Sequence, residues 1–173
     1  MASRKHYIYY DMVNRKVKFM RGLCTAVLIS CSLFNPSFGA EFKVGGINHF
    51  GLTVTDLSAS ELFFTDVLGF ELLGRDEDYP SVAVANDEIL ITLWRTSNPD
   101  SAIQFDRKQN VGLHHLAFNV GSFEELDSLH NVLRSTPGVI IEFSPEPLSG
   151  GPTRHMMIRE PSGNRLEFIH NPP

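Results

Sequence analysis

The sequence predicts an α+β fold of two tandem βαβββ modules, which form a cupped mixed sheet with helices on its outer face. Three observations carry this. A strand-like segment occurs twice, as Asn48-His49-Phe50-Gly51-Leu52-Thr53-Val54 and as His114-His115-Leu116-Ala117-Phe118-Asn119-Val120. A helical pattern follows each copy, and three further strand-like segments follow each helix. Between the copies, the polar stretch from Thr96 to Gly112 contains Pro99 and no regular period, so it reads as a linker.

In the first copy Phe50, Leu52 and Val54 alternate with His49, Gly51 and Thr53, the pattern of a strand with one buried face. Asp56 or Ser58 can cap the next helix, which carries Leu62, Phe63 and Val67 and stops near Gly69. Strands are then expected over 70–73, 81–85 and 88–94. In the second copy Leu116, Phe118 and Val120 alternate with His115, Ala117 and Asn119. Ser122 caps a helix with Phe123, Leu126, Leu129 and Leu133, which ends near Pro137-Gly138. Strands follow over 139–143, 155–159 and 164–169. The modules occupy 45–95 and 112–171 of a domain spanning 45–171.

Charge divides the chain at about residue 40. Residues 1–40 hold six Lys/Arg against the single Asp11, a net of +5, whereas residues 41–173 hold nine against 19 Asp/Glu, a net of −10. An acidic body repels polyanions, so no nucleic-acid partner is expected. The N-terminal 1–40 reads as an export segment. Lys16, Lys18 and Arg21 precede an apolar run from Leu23 to Phe34, and Ser37-Phe38-Gly39 offers small residues before a cut at Ala40. The run is shorter than the ~20 residues that span a bilayer. Met1, Met12 and Met20 are alternative starts. A second reading takes Leu28-Ile29-Ser30-Cys31 as a lipobox that tethers the protein to a membrane through Cys31, and a third leaves the chain in the cytoplasm. With only Cys24 and Cys31 present, either cut leaves at most one cysteine, and no disulfide framework holds the body.

The polar residues within the strands carry the chemistry. His49 and His115 take matching places on the face opposite the helices. Leu166 and Phe168 point to the helix side of the last strand, which puts Glu167 on the same side as the two histidines. Two imidazoles and one carboxylate suit a single divalent metal, Fe, Mn, Zn, Ni or Co, with open positions for substrate. After Gly150-Gly151-Pro152, Arg154 and His155 are candidates for contacting an anionic substrate or for acid–base work, beside Glu167. Trp94 and Met157 are expected on the cup wall. His130 reads as structural, and His170 as solvent-facing near the C-terminus.

The motifs NHFGLTVTD and FFTDVLGFELL in the first copy, with HHLAFNV and MIREPSGNRLEFI in the second, resemble the vicinal oxygen chelate superfamily over about residues 45–171. That group includes glyoxalase I, fosfomycin-resistance thiol transferases, extradiol dioxygenases, methylmalonyl-CoA epimerase and bleomycin-binding proteins. The resemblance implies metal ligands at His49, His115 and Glu167. His114 aligns with Asn48, is expected to point the other way, and ranks second. The fourth ligand and base of glyoxalase I is a Glu whose counterpart here is Thr92, in EILITLW. Threonine is no general base near neutral pH, so efficient glyoxalase I activity is not expected. The Lys- and Ser-rich loop of the thiol transferases is replaced by LSGGPTRH, and the chain has half the length of a four-module dioxygenase. The resemblance therefore implies a metal-dependent enzyme chelating a small oxygenated substrate, of lyase, isomerase, transferase or dioxygenase type. The alternative is a non-catalytic binding or sequestration protein of the bleomycin-resistance kind. It also implies a homodimer in which His49 of one subunit can join His115 and Glu167 of another.

Overall fold

In the first strand, β1 (Phe50–Val54), Leu52 and Val54 are buried while Gly51 and Thr53 are exposed, as the alternation requires. The computed structural model describes residues 45–173, and Ile47–Pro173 form one compact unit. The expected export segment, with its alternative lipid site at Cys31, lies outside the described residues. Among those described, no helix is long and apolar enough to cross a membrane.

After β1 the Asp56 side chain accepts from the Ala59 N–H and caps α1 (Leu57–Leu62). This helix runs directly into a π-helical turn over Phe63–Val67. Its wider i→i+5 bonding is seen in the Leu68 N–H, which donates to the Phe63 carbonyl at 3.1 Å, and the adjacent Phe63 and Phe64 are both in the core. Gly69, at φ 72°, ends the turn in the left-handed region. The strands β2 (Glu71–Asp76), β3 (Ser81–Ala85) and β4 (Leu90–Arg95) complete the module. β4 starts later than its apolar pattern suggests, because the Asn86 side chain accepts from the Glu88 and Ile89 N–H groups and holds them in a turn.

The second module repeats the plan with β5 (Leu116–Asn119), α2 (Phe123–Leu133, capped by Ser122), β6 (Ile140–Pro147), β7 (Arg154–Arg159) and β8 (Arg165–His170). The sheet orders are β1-β4-β3-β2 and β5-β8-β7-β6, with the first pair of each parallel. Register preserves the duplication. Phe50 pairs with Ile91 and Gly51 with Thr92, as Leu116 pairs with Leu166 and Ala117 with Glu167.

The strands make two four-stranded mixed sheets rather than one continuous sheet. A single apolar core joins them through Leu52, Val54, Ile91 and Leu93 on one side and Leu116, Leu166, Met156 and Phe168 on the other. Phe70 meets Phe118 edge-on at 6.1 Å across this junction. The helix-side faces thus share the core, and the polar faces are turned away from it.

A second junction is polar. Buried Glu160 accepts from Ser60 Oγ (2.7 Å), from the Ser162 and Asn164 N–H groups, and from Asn164 Nδ2. Ser162 Oγ in turn accepts from the Thr55 and Asp56 N–H groups at the start of α1. The turn between β7 and β8 is thereby bound to the first turn of the other module's helix.

Candidate metal centre

Glu167 lies in the middle of β8, directly opposite the buried Met157 of β7, with its side chain 10% exposed. Its two oxygens are engaged separately. His115 Nε2 stands 3.1 Å from Oε2, and His155 Nδ1 stands 2.5 Å from Oε1. His115 comes from the residue before β5 and His155 from β7, so three segments converge on one carboxylate. Phe143 of β6 packs against the His155 ring at 5.0 Å.

A charged network extends this cluster along the polar face of the second module. The Arg165 side chain is only 4% exposed, and its Nε and Nη2 donate to the Glu142 carboxylate at 2.7–3.0 Å. Arg159 Nε reaches the same carboxylate at 2.8 Å. The hydrogen bonds from Arg165 hold the Glu142 carboxyl below the usual glutamate range, against the opposing effect of burial. Arg165 Nη1 donates to the His114 carbonyl and approaches His114 Nδ1, both at 3.2 Å. His114 Nδ1 lies 2.8 Å from His115 Nδ1. Desolvation first, then the positive charges of Arg165 and His115, lowers the His114 pKa from the usual histidine value.

The residues singled out from the sequence separate here. His115, Glu167 and His155 come together. His49 does not join them: it is exposed just before β1, and its Nδ1 lies 2.7 Å from Asn48 Oδ1. Among the described residues no three His, Cys, Asp or Glu side chains are arranged to hold a metal ion. The physical reason is the shared core, which draws the apolar faces of both sheets together and turns His49 and His115 outward.

Arg154 is also not at the cluster. It neighbours His155 on β7 and so faces the helix side, where it forms a two-pronged pair with Asp127 at 2.9 and 3.2 Å and lies over the Phe123 ring. His114 does not point away from His115. β5 begins only at Leu116, so the pleat does not separate the two side chains, and their rings meet edge-on at 5.1 Å. Nor is His170 a solvent residue: it packs on Phe123 at 4.8 Å and its Nδ1 bonds the Val120 carbonyl. Arg165 and Glu142 were missed in the sequence. The period-2 alternation from Glu167 back to Arg165 would have placed Arg165 on the same face.

Thr92 is the counterpart of Glu167 by register, and its hydroxyl is already used. It donates to the Phe50 carbonyl at 3.3 Å and accepts from Trp94 Nε1 at 2.8 Å. Tyr79 stands against Trp94 at 5.1 Å, and Gly51 leaves room beside the indole. A cavity of about 720 Å³ lies elsewhere, between the linker at Gln104–Lys108 and the turn at Glu160–Gly163, and no member of the His–Glu cluster lines it.

Two imidazoles and a carboxylate are donor types that divalent cations take, but here the three side chains pair with one another, each histidine on one Glu167 oxygen.

Comparison with known proteins adds to this geometry. A family model described as Glyoxalase/Bleomycin resistance protein/Dioxygenase superfamily matches residues 46–168. A 2-epi-5-epi-valiolone epimerase from Actinomyces sp. is 30% identical over 148 residues, covering 73% of this chain and 79% of that protein. A glyoxylase/bleomycin resistance protein/dioxygenase domain from Frankia sp. superposes with a TM-score of 0.63 at 25% identity, over 75% of this chain and 94% of the other. The fosfomycin resistance protein FosX from Listeria monocytogenes shares the fold, with a TM-score of 0.60 at 19% identity over 75% of this chain and 96% of that one.

Proposed function

Because the chain belongs to the glyoxalase/bleomycin resistance protein/dioxygenase superfamily, we propose that it is a metal-dependent enzyme acting on a small oxygenated substrate, with His115 and Glu167 as metal ligands. The observation that carries this reading is the 3.1 Å approach of His115 Nε2 to Glu167 Oε2, with His155 on the second carboxylate oxygen. When bound, Fe, Mn, Zn, Ni or Co would act as a Lewis acid toward a carbonyl or hydroxyl oxygen of the substrate.

The chain's own residues supply proton handling. His155 Nδ1–H donates to Glu167 Oε1, which orients the carboxylate and steadies its negative charge for taking a proton from the substrate. Buried Met157 and the Phe143 ring shield that side of the pair from water. The likeness to a protein named for epimerising 2-epi-5-epi-valiolone favours isomerase-type chemistry, with a proton removed next to a carbonyl, and makes that compound the first substrate to try. Arg154, turned to the helix side, has no part in this mechanism.

His49 completes the donor set in our reading by coming from a second copy, as a homodimer of this family allows. Metal analysis of the purified protein and turnover of the candidate substrate test the proposal. His115→Ala and Glu167→Gln are each expected to lose bound metal and turnover together; a variant that keeps both overturns it.

A second reading, small-molecule sequestration without chemistry, is favoured by the acidic body and the exposed Tyr79 beside Trp94. Equal binding of a cationic aromatic ligand by metal-free and metal-loaded protein would select it. We also propose export. The mass of the mature chain distinguishes a start at Ala40, a lipidated Cys31 and an uncut cytoplasmic form.

A further inference from the structure

Residues 41–173 contain nine Lys/Arg, and three of them, Arg107, Lys108 and Arg159, line the cavity of about 720 Å³ between the linker and the β7–β8 turn. A third of the basic residues of an acidic body therefore face one small volume. The two carboxylates at this cavity are already engaged. Asp106 accepts from the Lys108 N–H and from Gln109 Nε2, each at 2.8 Å, and so closes its own turn. Glu160 is buried and takes four donors, from Ser60, Ser162 and Asn164.

The cations keep free donors. Among the described residues, the exposed side chains of Arg107 and Lys108 make no hydrogen bond and no ion pair. Arg159 is fixed in place but only partly used. Its side chain is 22% exposed, its Nε reaches Glu142 at 2.8 Å, and its Nη1 donates to the Gly163 and Phe105 carbonyls at 3.1 and 3.5 Å. Its Nη2 has no partner among the described residues, and it is not sealed away, because no fully buried side-chain nitrogen or oxygen there lacks one. The opposite wall is apolar, made by Phe105, Pro161 and Ile140, the last 58% exposed. Gly163 lets the two sides close. A Cβ there would stand 2.0 Å from Gln104 Oε1, and φ is 95°.

We propose that this cavity is a binding site for a phosphate monoester of a small apolar or ring-bearing molecule, with Arg159, Arg107 and Lys108 on the phosphate and Phe105, Ile140 and Pro161 against the apolar part. A phosphate dianion suits three cations and the paired donors of a guanidinium better than a carboxylate of single charge does. The volume falls within the range of about 300–1,000 Å³ usual for small-molecule sites. The site stands apart from the His–Glu cluster, and nothing in it depends on a metal.

NMR titration of the ¹⁵N-labelled full chain with phenyl phosphate, no metal added, tests this. The Gly138 and Gly163 amides are expected to shift together along one saturating curve. Inorganic phosphate, which lacks the apolar contact, and benzoate, which lacks the second charge, should each bind about tenfold or more weaker. Replacing both Arg107→Gln and Lys108→Gln should weaken phenyl phosphate by about tenfold or more. Both residues are exposed, so the rest of the spectrum should be unchanged. Shifts that fail to saturate, that spread over the whole surface, or that survive the double substitution overturn the proposal. Inorganic phosphate or benzoate binding as tightly as phenyl phosphate overturns the ligand class.

Discussion

Thr92 faces Gly51 as Glu167 faces Ala117, yet its hydroxyl is spent on the Phe50 carbonyl and the Trp94 indole. A position that offers no carboxylate can neither add a ligand nor return a proton. The unaltered protein should therefore isomerise the hemithioacetal of methylglyoxal and glutathione poorly, ~10²–10⁴-fold below an enzyme with a positioned base. An absorbance assay giving kcat/KM above roughly 10⁵ M⁻¹s⁻¹ would contradict this. Thr92→Glu should tighten zinc in a chelator competition. The Glu142–Arg165 pair sets a pH dependence. A carboxyl held below its unfolded value, ordinarily ~4.3, contributes stability that is complete above that value and is lost as pH falls through the folded value. Glu142→Gln should then cost about 1–3 kcal/mol at pH 7, because buried Arg165 loses its charged acceptor. In urea titrations at successive pH values, that difference should shrink below pH 4.

At the scale of elements, α1 and its π-helical extension show how local sequence and packing trade control. Asp56 and Gly69 made the ends of the helix legible, but its apolar positions were only partly so: Leu62 is exposed, whereas Phe63 and Phe64 are both buried. Phe64→Ala should lower stability by about 3–5 kcal/mol in chemical unfolding, since the side chain is fully buried and contacts both Phe63 and Phe70. The bond between Ser60 and Glu160 was not legible, because the two residues are 100 positions apart and each alone looks like a surface polar group. Ser60→Ala should cost about 1–3 kcal/mol by leaving a buried carboxylate oxygen short of a donor. A thermal unfolding scan that leaves the midpoint unchanged would count against that junction.

For the whole molecule, the separation of His49 from the His115–Glu167–His155 cluster makes the assembly testable. If two copies share each site, mixing His49→Ala with Glu167→Gln subunits after denaturation and refolding should recover roughly a quarter of native metal binding and turnover, since half the dimers are mixed and each has one intact site. No recovery, together with light scattering that shows a metal-bound monomer, would rule out sharing. The sequence by itself determined the duplicated βαβββ plan, the helix caps and the facing of Glu167, because periods of 2 and 3.6 are local properties of the chain. It also marked Thr92 as the position lacking a carboxylate, which register alone then aligned with Glu167. Only the tertiary structure decided which faces of the two sheets meet, and therefore that His155 joins Glu167 while Arg154 and His49 do not. Apolar burial is non-directional: the pattern shows which face of each sheet is buried, and the common core determines what that face is buried against.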